Sequence, residues 1–429
     1  MRLKAARAYM ALSAVLASLL VSIPSSWAGY SFTSHTFTPC GATGKLGPTQ
    51  ANCRAAYTTT WDESDANFTV ASGIQLWVVP ATATYRITAV GAKGGNTTDS
   101  QGGAGASMRG DFQLTEGATI KILVGQVGLN DLSSGSGGGG GGSFVVTSTN
   151  TPLIIAGGGG GAADGTSLIN RNGMDATTST SGTAARDGFA AGGTSGAGGS
   201  SGDSGAPSTY IYSGGGGGGF TGNGGDTVQQ GVVRTGSGGY SFTNGGAGGN
   251  AYNGWSYGGD GGFGGGSAGS WGASGGGGYS GGAGDRSVGS SGDKEGGGGG
   301  GSYNSGANPV NTSGANTGAG YVTIAILITS TSTSLAVAGN VRTVNKGTSI
   351  QLTATVDQPG VVTFIANGKK IGGCVARVAA STTATCSWKP TIQGNVSIYA
   401  LLKPSNPIYT SSQSTPITLA IARRSNTRA

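Results

Sequence analysis

The segment Gly320-Tyr-Val-Thr-Ile-Ala-Ile-Leu-Ile328 closes a long field of glycine. It is β-branched, apolar and too short for the roughly 18 residues of a membrane-spanning helix, so it reads as a buried strand. A buried strand needs a sheet to join. The nearest candidates lie upstream, between Phe68 and Ala156. Ile74 to Val79 ends at Pro80; Thr84 to Val90 alternates before Gly91; Ser107 to Leu114, Thr119 to Val124 and Ser143 to Thr147 share the same period-two habit. Glycine and turn residues separate all of them, and no window sustains a helical period. The chain is therefore expected to be all-β.

Between Gly157 and Gly320 the composition shifts: 62 of the 91 glycines fall in these 164 residues. Such a composition suits a flexible linker. Two features oppose that reading. Aromatic residues recur inside the field, at Phe220, Tyr240, Phe242, Tyr252, Trp255, Tyr257, Phe263, Trp271, Tyr279 and Tyr303, which suits a packed body. The apolar runs Leu153–Ala156 and Tyr321–Leu327 also bracket it, and both are expected to return to one sheet. Ordered glycine costs about 0.5–1 kcal/mol per residue against alanine. Only a geometry closed to side chains would offset that cost. Extended segments with three residues per turn, packed side by side so that every amide finds a neighbour, provide one. Collagen is excluded, because no strict Gly-X-Y period persists and proline is scarce. Linker and ordered bundle both stay open on composition.

Five ordered motifs narrow the choice. The segment Phe37-Thr-Pro-Cys40-Gly-Ala-Thr-Gly-Lys-Leu-Gly-Pro-Thr-Gln-Ala-Asn-Cys53-Arg-Ala-Ala-Tyr57 is followed by Gly73-Ile-Gln-Leu-Trp-Val-Val-Pro-Ala-Thr82 with Tyr85. Then come Gly91-Ala-Lys-Gly-Gly95, Ile122-Leu-Val-Gly-Gln126 and Pro152-Leu-Ile-Ile-Ala-Gly157. Together they resemble the extracellular glycine-rich module of the anaplastic lymphoma kinase and leukocyte tyrosine kinase receptors, which also occurs in exported microbial proteins. The resemblance covers about residues 36 to 327. It implies a tumour-necrosis-factor-like jelly roll with a polyglycine-II bundle inserted before the last strand, and a module that receives extracellular ligands. No ligand-contact residue carries over, because the glycine field has no alignable register.

From about Thr329 the text alternates again, at Ser349–Val356, Val361–Ala366, Thr383–Trp388, Val396–Leu402 and Pro416–Ile421. Asn367-Gly368 predicts a tight hairpin, because a type I′ turn needs positive φ at both central residues. This stretch resembles bacterial immunoglobulin-like repeats. Its cysteines, Cys374 and Cys386, lie closer together than those of antibody domains, and are expected to staple adjacent strands.

The N-terminus carries Arg2, Lys4 and Arg7, an apolar run from Ala8 to Ile23, and the small-residue pattern Ser26-Trp27-Ala28. That is the layout of a secretory signal cleaved after Ala28. No later stretch reads as a transmembrane helix. The expected division is thus a signal peptide over 1–28, the glycine-rich module over 29–328 with its insertion at 157–320, the immunoglobulin-like sandwich over 329–422, and a basic tail at 423–429. The whole chain has a formal charge of +7; without the signal it holds 21 basic and 17 acidic residues, a net of +4. The lysines and arginines are scattered, without the aromatic interleaving of a nucleic-acid surface. Only Arg423, Arg424 and Arg428 cluster, at the tail. Four cysteines in an exported chain imply disulfides, expected as two local couples, Cys40–Cys53 and Cys374–Cys386, with pairing across the couples as the alternative; each local bridge would contribute about 3 kcal/mol by loop entropy.

No catalytic, cofactor or metal constellation emerges. His35 is the one histidine, so neither a Ser-His-Asp arrangement nor a kinase His-Arg-Asp loop is available. A receptor-kinase label would reflect shared extracellular sequence alone. Gly258-Gly-Asp-Gly-Gly-Phe263 has the flavour of a calcium-binding repeat, which would need tandem copies. The expectation is an exported non-catalytic binding or adhesion protein without cofactor, whose aromatic-studded glycine faces meet a protein or glycan. A coat or matrix component is the first alternative, and an ice- or mineral-binding surface the second.

Overall fold

The computed structural model describes residues 29–133, 135–165, 170–202, 211–229, 232–233, 236–251, 258–288, 294–406 and 408–423. The expected signal peptide, Tyr252, Trp255, Tyr257, Arg424 and Arg428 lie outside them. The chain is almost entirely β. In the first module the opening strands are β1 (Ser34–Phe37), β2 (Phe68–Ala71), β3 (Ile74–Val78), β4 (Ala83–Val90), β5 (Gly105–Leu114), β6 (Thr119–Leu123), β7 (Ser143–Thr147) and β8 (Pro152–Ala156).

Two sheets face each other. One is five-stranded, in the order β1, Tyr321–Ile326, β4, β5, Ala307–Asn316; the other is six-stranded, in the order Tyr303–Asn304, β8, β7, β6, β3, β2. Ile87, Met108, Val322 and Ile324 from the first meet Ile120, Ile122, Val145 and Ile154 from the second in one buried core. The runs bracketing the glycine field therefore enter opposite sheets rather than one. Tyr321–Ile326 inserts between β1 and β4, pairing Val322 with Ala89 and Phe37. Period-two alternation turns Val322 and Ile324 inward, where they close the core from the side opposite β8.

β7 and β8 read as continuous apolar runs because both of their faces are covered. Val145, Ile154 and Ala156 point into the sandwich, whereas Phe144, Val146 and Ile155 point outward against Phe220, Phe242 and Phe263 of the glycine field. Phe242 stacks between Phe144 and Phe220, with ring centroids 5.2 and 5.4 Å away. Burying each phenylalanine is worth about 1.5–3 kcal/mol. The aromatic residues thus anchor the glycine body to the sheet.

The glycine segments are hydrogen-bonded to one another with a period of three. Gly158 donates to the Gly277 carbonyl and Gly161 to that of Ser274; Gly214 donates to Asp285 and Gly217 to Gly282; Gly297 donates to Gly161 and Gly300 to Gly158. In each couple the donor advances three residues while the acceptor recedes three. Between Gly158 and Gly161, Gly159 donates to Ala92 and Gly160 to Met174, so successive amides face different neighbours. That is the pattern of antiparallel threefold extended helices packed side by side. A Cβ on Gly159 would lie 1.9 Å from the Gly103 carbonyl oxygen, which is why no side chain fits there. Tracts upstream of Gly157 belong to the same body: Gly137 donates to Ala162 and Gly140 to Gly159.

Among the described residues one short α-helix, α1 (Gln50–Ala56), interrupts the β pattern. Thr49 and Asn52 form a reciprocal capping box at its start, and Cys53 on its buried face joins Cys40.

The C-terminal region folds as a second sandwich. Thr333–Val337, Ile350–Val356 and Thr383–Trp388 form a three-stranded sheet, and Gly360–Ala366, Gly394–Pro404 and Ile417–Ala422 lie within a larger one. Asn367 and Gly368 have φ of 46° and 76°, and Ala366 pairs with Lys369 across them, as a type I′ hairpin requires. Cys374 and Cys386 do not staple adjacent strands. Cys386 lies opposite Leu352 in the three-stranded sheet, while the Cys374 carbonyl accepts from Phe364 of the other. The bridge spans the two sheets because Cys374 sits in the turn beyond Lys370, not on a paired strand. Ile408 of this region is buried in the core of the first module.

Candidate functional site

One group of chemistry-bearing side chains of the first module surrounds β1. His35 and Phe37 point to the same side of that strand. His35 has ring centroids of Tyr57, Phe37 and Trp61 at 4.4, 4.7 and 4.9 Å, all edge-on. Asp62 is fully buried nearby and accepts a hydrogen bond from the Thr59 hydroxyl. A histidine close to a carboxylate invites an acid–base reading, but Nε2 of His35 has no hydrogen-bond partner. Burial among the rings holds its pKa down near 4, partly opposed by the Asp62 charge.

This packing makes a stability prediction. The folded state binds the His35 proton less well than an unfolded chain does, so His35 favours folding fully above about pH 6.5 and loses that contribution as pH falls toward 4. Allowing for partial exposure of the ring, the loss is about 2 kcal/mol. His35→Phe is expected to flatten the wild-type decline between pH 6.5 and 4 in urea denaturation. Parallel declines in the two proteins would refute this account.

The aromatic residues of the glycine field were read as the mark of a packed body whose faces meet a ligand. The structure buries Phe220, Phe242 and Phe263, and stacks Tyr279 on Tyr303 at 4.9 Å. Tyr240 and Phe189 are exposed, the latter beneath the Arg286 guanidinium, whose carbon lies 3.1 Å from the ring centroid. An aromatic in a glycine-rich text signals order, and the sequence alone does not say which face it takes.

The four cysteines pair as expected, with Cα separations of 4.8 Å for Cys40–Cys53 and 5.5 Å for Cys374–Cys386. Among the described residues no cluster of three or more His, Cys, Asp or Glu side chains is placed to hold a metal ion, and no helix is long and apolar enough to cross a membrane.

A large concave feature lies in the C-terminal sandwich. The Asn367-Gly368 turn carries Lys369 and Lys370 out along one wall, and Trp388 and Lys389 form the other, ending at Pro390. Ile371 and Val396 are buried beneath, and the groove encloses about 850 Å³. The sequence reading passed over it because charge was assessed for the whole chain. Residues 329–422 hold seven lysines and arginines against a single acid, Asp357, whereas residues 29–328 hold eleven against sixteen. Tallying charge by module, +6 against −5, would have singled out this sandwich.

Over 107 residues the chain is 39% identical to the leukocyte tyrosine kinase receptor of Mus musculus, an alignment covering 23% of this chain and 12% of the receptor. The similarity falls in the receptor's extracellular region and does not reach a kinase domain. No family model matches the chain. An all-β chain with two disulfides, part of it similar to a receptor exterior, fits an extracellular or cell-surface setting.

Proposed function

We propose that the chain is an exported, non-catalytic binding protein whose glycine-rich module, residues 29–328, engages an extracellular protein ligand. In this reading residues 1–28 are a cleaved signal, the first sandwich is a tumour-necrosis-factor-like jelly roll, and residues 329–422 are an immunoglobulin-like spacer followed by a basic tail. The carrying observation is the 39% identity to a receptor's extracellular region. The hydrogen-bonded glycine body supports it physically, since a rigid surface loses little conformational entropy on binding.

The test joins export to recognition. Culture-medium or surface protein is expected to begin at Gly29 by mass spectrometry, and purified 29–429 to bind a discrete protein target saturably on an extracellular-protein array. Retention of residues 1–28 on protein confined inside the cell would overturn the proposal. Self-assembly into layers without saturable partner binding would replace it with the matrix reading.

A further inference from the structure

The Lys369–Trp388 groove lies outside residues 36 to 327, over which the receptor-like motifs run, and it is built differently from the first module. We infer that it binds a strand of acidic polysaccharide, and so holds the protein on a polyanionic matrix.

Three lysines, Lys369, Lys370 and Lys389, line one groove, and among the described residues none of those lining it is acidic. Trp388 is half-buried, packed on the core from one side, and offers an apolar surface suited to a sugar ring. Ile392, which is 71% exposed, extends the apolar strip at the rim. The ligand must therefore carry repeated negative charge and an apolar ring face together, as a uronic-acid polymer does. A single-stranded nucleic acid would instead call for several aromatic side chains to stack successive bases, and one tryptophan lines this groove.

Charge distribution supports the same occupant. The C-terminal sandwich attracts polyanions, whereas the acidic first module repels them and is left free for another partner. Both walls are also tied together. Cys374 follows Ile371 by three residues and Cys386 precedes Trp388 by two, so the disulfide fixes the spacing of the hairpin and the tryptophan strand.

The inference uses the extracellular reading for access to such polymers, but its test does not depend on export. Purified 29–429 is titrated with polygalacturonate, with neutral dextran and single-stranded DNA as comparisons. Binding to polygalacturonate alone is expected, weakening as salt is raised. Lys369→Ser/Lys370→Ser/Lys389→Ser should lower affinity by about tenfold or more, whereas the charge-matched Arg342→Ser/Lys346→Ser/Lys403→Ser should change it less than about threefold. Trp388→Ala should also weaken binding; the exposed lysine variants keep the test valid if that protein misfolds. Equal losses in the two triple variants would reduce the effect to net charge and overturn the groove. Tighter binding to DNA, or no binding to polygalacturonate, would overturn the ligand class.

Discussion

Gly216→Val is expected to destabilise the glycine-rich module by about 3 kcal/mol or more, since overpacking typically costs 1–3 kcal/mol and here backbone hydrogen bonds are lost as well. A Cβ at Gly216 would sit 1.9 Å from the Gly199 carbonyl oxygen, 2.5 Å from its carbon and 2.9 Å from the Ser200 oxygen. All three are main-chain atoms, so no rotamer change relieves the clash. The neighbouring segment has to move. That movement would disturb the bonds from Gly216 to Gly225, from Gly239 to Gly216 and from Gly199 to Gly217. Gly318→Ala is the matched control, because its nearest atom is Asn316 Oδ1 at 3.7 Å. Thermal unfolding should separate the two variants clearly. Amide exchange should show the glycines near 199, 216 and 225 losing protection together. Equal midpoints for Gly216→Val and the parent would mean that these segments are not closely packed.

The strands were legible because each carries its pattern locally. β4 alternates, and Asn367-Gly368 specifies its own turn. What eluded a reading of the text was set by distant partners. Leu153–Ala156 and Tyr321–Leu327 look alike as apolar runs, and only the facing core residues decide that they join opposite sheets. α1 is seven residues long, too short to display a period, although Thr49 and Asn52 mark its start. The three-residue register of the glycine body leaves no trace in composition, since glycine at every position hides which amide points where. The basic groove was readable in principle, because three lysines and a tryptophan fall within 21 residues of sequence. It became visible when the fold brought residues 369–371 opposite residues 388–392.

The organisation of the first module also makes its disulfide more consequential than a loop staple. Between Cys40 and Cys53, the carbonyls of Gly44, Lys45 and Leu46 accept hydrogen bonds from the Phe263 amide, the Gly248 amide and the Gln126 side chain. Lys45 also pairs with Asp260 at 3.3 Å. On the other side, Gln50 at the start of α1 binds the β2 backbone at Phe68 and Val70. The loop held by the bridge therefore joins the sandwich edge to the glycine body. Replacing both cysteines, Cys40→Ser with Cys53→Ser, is expected to cost about 3 kcal/mol from loop entropy. Placing two hydroxyls where the side chains are buried adds to that cost. Amide exchange would locate the effect: Gly248 and Phe263 should lose protection before the core strands β4 and β5 do, because their acceptors lie in the released loop. A denaturation midpoint equal to the parent's, with Gly248 and Phe263 still slow to exchange, would show that the glycine body holds this loop without the bridge.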